Sequence, residues 1–315
     1  MQYFPYFLFA FGLLIIIKGS NWFLDAVIWT AKEFHISDII IGATLVSMCT
    51  TLPETMVSVN SALRGNTDIA FGNSLGSIAF NIGIIMSIMI LFSRPPVNDR
   101  RDFQQKGILL ISLLIFVLII SFIFGSITRL AGVTLLGILA WYLYNNAKQG
   151  KNENSKRDGM QKNRKDSAAK NIILFVAGLS MTILGANLLV MNGEIIAKML
   201  GVPDLVIGLT ITAVGTSLPE LVTAINSVIK KVHNISIGNI LGASILNIIL
   251  VLSAASTIIP IPVDNSILKF HIPFVILIAT IMLSMSYISK ANFRRRGGAV
   301  LLASYLVYLF LTITL

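Results

Sequence analysis

Apolar runs close to twenty residues long recur through this chain, as at 108–124 and 272–288. A run of about 20 apolar residues, wound as an α-helix, crosses a hydrocarbon core of about 30 Å. Lipid offers no hydrogen bonds, so a spanning backbone must satisfy itself as a helix or a closed barrel. A barrel would show short alternating segments instead. Of the 315 residues, 55% are hydrophobic and 12% charged, against roughly 25% charged in a soluble domain. The expected fold class is an all-α polytopic membrane protein.

Composition removes several functions. One cysteine allows no intrachain disulfide framework. His35, His233 and His271 are scattered, without metal-ligand spacing. No Gly-Lys-Ser/Thr phosphate loop is present, so an ATP-driven pump is not expected. The first twenty residues lack the positive leader and small-residue cleavage site of a signal peptide, and are expected to form a mature helix.

The chain repeats itself. The offset is 166, the difference between Glu54 and Glu220. Gly42, Thr44, Thr50, Leu52 and Pro53 land on Gly208, Thr210, Thr216, Leu218 and Pro219. Gly72, Asn73, Gly76 and Asn81 land on Gly238, Asn239, Gly242 and Asn247, and Pro96-Val97 returns as Pro262-Val263. Between positions 38 and 82, 17 of 45 residues are identical without a gap. That is duplication rather than shared composition.

Each half is expected to hold five spans: 4–28, 39–63, 69–92, 107–125 and 130–146, then 172–196, 205–229, 235–259, 271–289 and 298–315. The expected parts are 1–146, a first five-helix repeat; 147–170, a basic linker; and 171–315, a second repeat. With five spans per half, 19 of the 24 Lys and Arg fall on the side of the linker. The positive-inside rule then makes the linker cytoplasmic and puts both termini outside, in a multi-pass cell-membrane protein. This topology accounts for the basic linker without nucleic acid. An odd number of spans inverts the second repeat, which is the mark of a secondary transporter with a midplane site.

Most acids lie in loops or near span ends, whereas Glu54 and Glu220 lie deep. A deep carboxylate faces a cavity or a partner. Lys18 is the one deep cation at hand, and its repeat position holds Leu184. The two glutamates are therefore expected to face each other. Pro53 and Pro219 sit beside them, where a helix interior would lose a bond and free the carbonyls of Cys49 and Gly215. Spans two and seven should therefore be broken helices. Thr50 and Thr51, then Thr216 and Ser217, add hydroxyls. This all-oxygen set suits Ca2+, which takes about six to eight such ligands, and argues against Zn2+ and Cu+. "GNSLGSIAFN" (72–81) and "GNILGASILN" (238–247) bring glycines for close helix approach, with Ser77, Asn81 and Asn247 on polar faces.

Two such signatures, each followed by Gly-Asn-x-x-Gly and a later Asn, resemble the α-repeats of the cation/Ca2+ exchanger superfamily, and most nearly its prokaryotic sodium/calcium exchanger branch. The resemblance covers nearly the whole chain. It implies alternating access and no cofactor. Its ion ligands fall on Ser47 (carbonyl), Thr50, Thr51, Glu54, Ser77 and Asn81 in the first half. In the second they fall on Ala213 (carbonyl), Thr216, Ser217, Glu220 and Asn247. Three positions depart from the pattern: Cys49 stands for a glycine, Ala243 for a serine, and Asn247 where potassium-dependent relatives carry Asp.

The expected function is secondary antiport of Ca2+ against Na+, extruding Ca2+, by a monomer whose partners are the two ions and the bilayer. A H+/Ca2+ antiporter is the alternative, since a deep carboxyl can carry a proton. A cation channel is a further reading, which the inverted broken helices disfavour. No enzyme activity is expected.

Overall fold

Long apolar stretches without interior proline wind into the helices of the computed structural model, which describes residues 4–34, 38–93, 100–154, 168–199, 201, 204–288 and 293–314. In order these are α1 (Phe4–Glu33), α2 (38–50), α3 (Leu52–Leu63), α4 (Thr67–Ser93), α5 (Arg100–Phe124) and α6 (Arg129–Asn154). Then follow α7 (Ala168–Met199), α8 (204–216), α9 (Leu218–Ile229), α10 (His233–Ile258), α11 (Ile267–Ile288) and α12 (Arg295–Thr314). Much of the linker, Pro96-Val97 and His35 lie outside the described residues.

Seven of these helices are long and apolar enough to cross a membrane, and α8 with α9, bent by 40° at Ser217, makes an eighth. Ten were expected. The two stretches left over are 38–63, interrupted at Thr51, and α6, whose last turns carry Asn145, Asn146, Lys148 and Gln149. The all-α expectation is corrected in one place. Ser126–Ile127 (β1) pairs antiparallel with Ile261–Pro262 (β2), Ser126 opposite Pro262 and Ile127 opposite Ile261. Two connections between helices meet there, and the pairing buries both isoleucines.

Helix α10 is 94% buried and α4 78%, whereas the spans of α1, α5, α7, α11 and α12 are 22–39% buried. The two glycine-bearing helices therefore form the centre. Exposed Phe, Leu and Ile elsewhere present an apolar exterior, as on α5 at Ile115, Ile119 and Phe122. Helix α1 packs along α7, and this pair touches the centre through α9 and α3. Helix α10 packs on α2, and α4 on α8. Tyr142 of α6 donates its hydroxyl to the Ala43 carbonyl of α2 at 2.9 Å.

The two halves end their broken segments differently. Helix α3 runs into Gly65 at φ 80, and the equivalent after α9 is Lys231 at φ 59. A non-glycine residue there costs about 1–2 kcal/mol, offset by the 0.5–1 kcal/mol or so that a glycine adds in unfolded freedom. Lys231→Gly should therefore raise stability by at most about 1.5 kcal/mol, read as a slightly higher thermal midpoint in detergent.

Candidate ion-binding site

Glycine lets the central helices close on their neighbours. A Cβ on Gly242 of α10 would collide with Ser47 Oγ and the Ala43 backbone; one on Gly76 of α4 would collide with the Leu209 carbonyl and Ala213 Cβ. Each glycine thus sets the approach to a carbonyl-bearing segment named above, at Ser47 or Ala213.

Each of those segments is irregular. Gly42–Val46 and Gly208–Thr212 are π-helical, as are Asn81–Met86 and Asn247–Leu252. Such turns are rare and gather at functional sites. The chain then turns at Thr51 (φ −80, ψ −1) and Ser217 (φ −86, ψ 6). Pro53 and Pro219 lie in the first turn of the helices that follow. The sequence placed these prolines in a helix interior; here they stand in the first turn of a helix, where proline's missing N–H would have no intrahelical acceptor in any case. Glu54 and Glu220 occupy the same first turns, where the positive end of a helix favours a carboxylate.

All eleven residues expected to hold ions are buried, none more than 1% exposed. Ser217 Oγ donates to Glu54 Oε1 at 3.1 Å, across 163 residues. The Glu54 carboxylate is within electrostatic reach of Glu220. Glu220 lies beside the Thr50 hydroxyl, yet neither of its oxygens has a partner at bonding geometry, and nor has Glu54 Oε2. Ser77 Oγ lies 3.4 Å from the Ala213 carbonyl. The two proposed carbonyl ligands are not wholly free: Ser47 O accepts the Thr51 N–H at 2.9 Å and Ala213 O the Ser217 N–H at 3.1 Å. Ser47 O keeps a second lone pair, whereas Ala213 O also accepts the Ser77 hydroxyl at 3.4 Å.

Thr51 Oγ1 and both polar atoms of Asn81 have no hydrogen-bond partner. Asn247 donates Nδ2 to Ala243 O at 3.0 Å, leaving Oδ1 unpartnered. These side chains share the buried region but are tied to no other expected ligand by a hydrogen bond. Two residues were missed. Asn73 Oδ1 accepts the Thr216 hydroxyl at 2.9 Å and Asn239 Oδ1 the Thr50 hydroxyl at 3.2 Å. Their identity across the repeat was the available signal.

Among the described residues nine buried side-chain oxygens lack partners, which is costly unless something compensates them, and six of them belong to expected ion ligands: Glu54 Oε2, Glu220 Oε1 and Oε2, Thr51 Oγ1, Asn81 Oδ1 and Asn247 Oδ1. A desolvated cation compensates such a set. Among the described residues no three His, Cys, Asp or Glu side chains cluster. The donors are therefore hydroxyl, carbonyl, carboxamide and a carboxylate pair, the ligands of hard cations.

Fold and site together define a helical membrane ion transporter. The chain belongs to the family described as "Sodium/calcium exchanger protein", which it matches over residues 4–148 and again over 170–314. The sodium/calcium exchanger MaX1 of Methanosarcina acetivorans is 29% identical over 338 aligned positions, covering 95% of each chain. Inner membrane protein YrbG of Escherichia coli is 29% identical over 307, covering 95% of this chain and 93% of YrbG. A solved structure of the sodium-calcium exchanger NCX_Mj superimposes with a TM-score of 0.80 at 26% identity, over 97% of each chain.

Proposed function

We propose that this protein exchanges Na+ for Ca2+ across the cell membrane by alternating access and extrudes Ca2+ on the inward Na+ gradient. In this reading the chain is ten spans in two inverted five-helix repeats, with broken helices at Thr51 and Ser217. The observation that carries it is that Glu54 accepts a hydrogen bond from Ser217, three residues before Glu220, with all three wholly buried among oxygen-bearing side chains. Two carboxylates neutralise one Ca2+, and the same oxygens suit Na+ once Ca2+ has left. Glu54 and Glu220 are the central Ca2+ ligands. Thr50, Thr51, Thr216, Ser217, Ser77, Asn81, Asn247 and the Ser47 and Ala213 carbonyls complete the Ca2+ and Na+ sites. The membership of the exchanger family supports the choice of ions.

Proteoliposomes test it. A Na+ gradient should drive 45Ca2+ uptake, and K+ should have no effect, because Asn247 stands where potassium-dependent relatives carry an acid. Uptake driven by a pH gradient alone, with none driven by Na+, would replace this reading by H+/Ca2+ antiport. Exchange that moves net charge also draws on the membrane potential, by about 2.3 kcal/mol per elementary charge per 100 mV.

The halves differ at one proposed ligand. Ser77 has a hydroxyl and its repeat partner Ala243 does not, although both are wholly buried. Ala243→Ser should add a Na+ ligand. A hydrogen-bond-sized gain of about 1 kcal/mol corresponds to a fall of about fivefold in the Na+ concentration for half-maximal exchange. Titrating Na+ in the same uptake assay reads it.

A further inference from the structure

We propose that Asn73 and Asn239 are positioning residues that aim the Thr216 and Thr50 hydroxyls, each reaching across from the opposite half of the chain. The proposal rests on the reading of those threonines as ion ligands. A hydroxyl that ligates a cation must turn a lone pair to it and send its one proton elsewhere. Thr216 Oγ1 has three acceptors in reach: Asn73 Oδ1 at 2.9 Å, Thr212 O at 3.0 Å and Ala213 O at 3.3 Å. Thr50 Oγ1 has Asn239 Oδ1 at 3.2 Å and Ser47 O at 3.4 Å, with the Glu220 carboxylate beside it but outside bonding geometry.

The destination of the proton decides what the site offers. If it went to Ala213 O or Ser47 O, a proposed carbonyl ligand would be occupied. Given to the asparagine, it leaves the hydroxyl with lone pairs to spare and adds no further donor to the carbonyl beside it, 3.3 Å away in one half, where Ala213 O already accepts from Ser217 N–H and Ser77 Oγ, and 3.4 Å away in the other. Two oxygens about 2.4 Å from one cation, at a right angle, stand about 3.4 Å apart. Each asparagine thus preserves a pair of oxygens spaced to share an ion.

The direction of the Asn73 carboxamide is set by its other end. Nδ2 donates to the Glu54 carbonyl at 3.1 Å and to Ser58 Oγ at 2.8 Å. A carbonyl can only accept, so the nitrogen faces Glu54 and the oxygen faces Thr216. Asn239 lacks this anchor, because Ala224 occupies the repeat position of Ser58 and Asn239 Nδ2 is unpartnered. Both asparagines are wholly buried. Asn73 therefore orients a hydroxyl and also holds α3 to α4, whereas Asn239 only orients.

The test is a double-mutant cycle on the full chain in proteoliposomes, read as the Ca2+ concentration for half-maximal Na+-driven uptake. Asn239→Leu and Thr50→Val should each raise it about tenfold, the size of one lost charge-assisted bond. The double variant should be no worse than the poorer single, since both changes remove the same aimed oxygen. Asn239→Asp keeps an acceptor and should stay closer to the parent than Asn239→Leu. Thermal unfolding should leave Asn239→Leu near the parent and lower Asn73→Leu. Multiplying effects in the double variant, or an unchanged half-saturation in Asn239→Leu, would overturn the positioning role alone. An unchanged half-saturation in Thr50→Val would overturn the ligand reading beneath it. If Asn73→Leu does not fold, the Asn239 and Thr50 arm decides.

Discussion

Glu54→Gln and Glu220→Gln will each yield a folded protein that no longer moves Ca2+. Glutamine keeps the volume of the side chain, so packing around α3 and α9 is preserved. What disappears is one of the two buried charges proposed above to hold the divalent ion. Removing one partner from a buried charged set costs about 3–5 kcal/mol, or roughly a hundredfold and more in ion affinity. Glu54 also accepts the Ser217 hydroxyl, a bond that a glutamine oxygen can keep, so the two variants should fail alike. Na+-driven 45Ca2+ uptake and a thermal melt on the same preparation decide it. Uptake within about tenfold of the parent, well short of a buried-charge loss, would remove these carboxylates from the centre.

Gly242→Ala and Gly76→Ala come next in expected effect, and they act on shape. Each added methyl meets backbone or tightly held neighbours, Ala43 in one half and Leu209 in the other. Overpacking of this kind costs about 1–3 kcal/mol. The relief open to the chain is to push α10 away from α2, or α4 from α8, which spreads the oxygens around the ion. Both variants should melt earlier and bind Ca2+ more weakly. Gly137→Ala is the internal control: nothing lies within 4 Å of a Cβ there, and alanine favours a helix by up to about 1 kcal/mol. It should melt no earlier than the parent and transport normally.

The sequence carried the membrane class, the helices and the duplication, because hydrophobic length and identity at a fixed offset survive in one dimension. The depth of Glu54 and Glu220 was legible for the same reason, and two deep carboxylates with no deep lysine or arginine at hand but Lys18 call for a cation between them. The π-helical turns at Gly42 and Asn81 and their repeats were not legible, because one extra residue in a turn leaves no mark on composition. Nor were the starts of α3 and α9. Proline reads the same whether it breaks a helix or begins one, and the dihedral angles of Thr51 and Ser217 decide between the two. The short β1–β2 ladder depends on where two loops meet. Asn73 and Asn239 were visible as repeated letters, but their partners lie 143 and 189 residues away, and no local pattern announces a bond of that span.

Those two bonds also speak to ancestry. Asn73 and Thr216, like Asn239 and Thr50, belong to opposite halves. A single half would leave its asparagine oxygen and its threonine hydroxyl without each other, and would own one carboxylate of the two. A one-copy precursor could thus have carried an ion only as a homodimer, with these contacts made between subunits. Joining two copies in one chain replaces a concentration-dependent encounter by a tethered one and lets each copy differ by itself. Ala243 against Ser77 and Ala224 against Ser58 are differences that a homodimer of identical copies could not hold in one half alone.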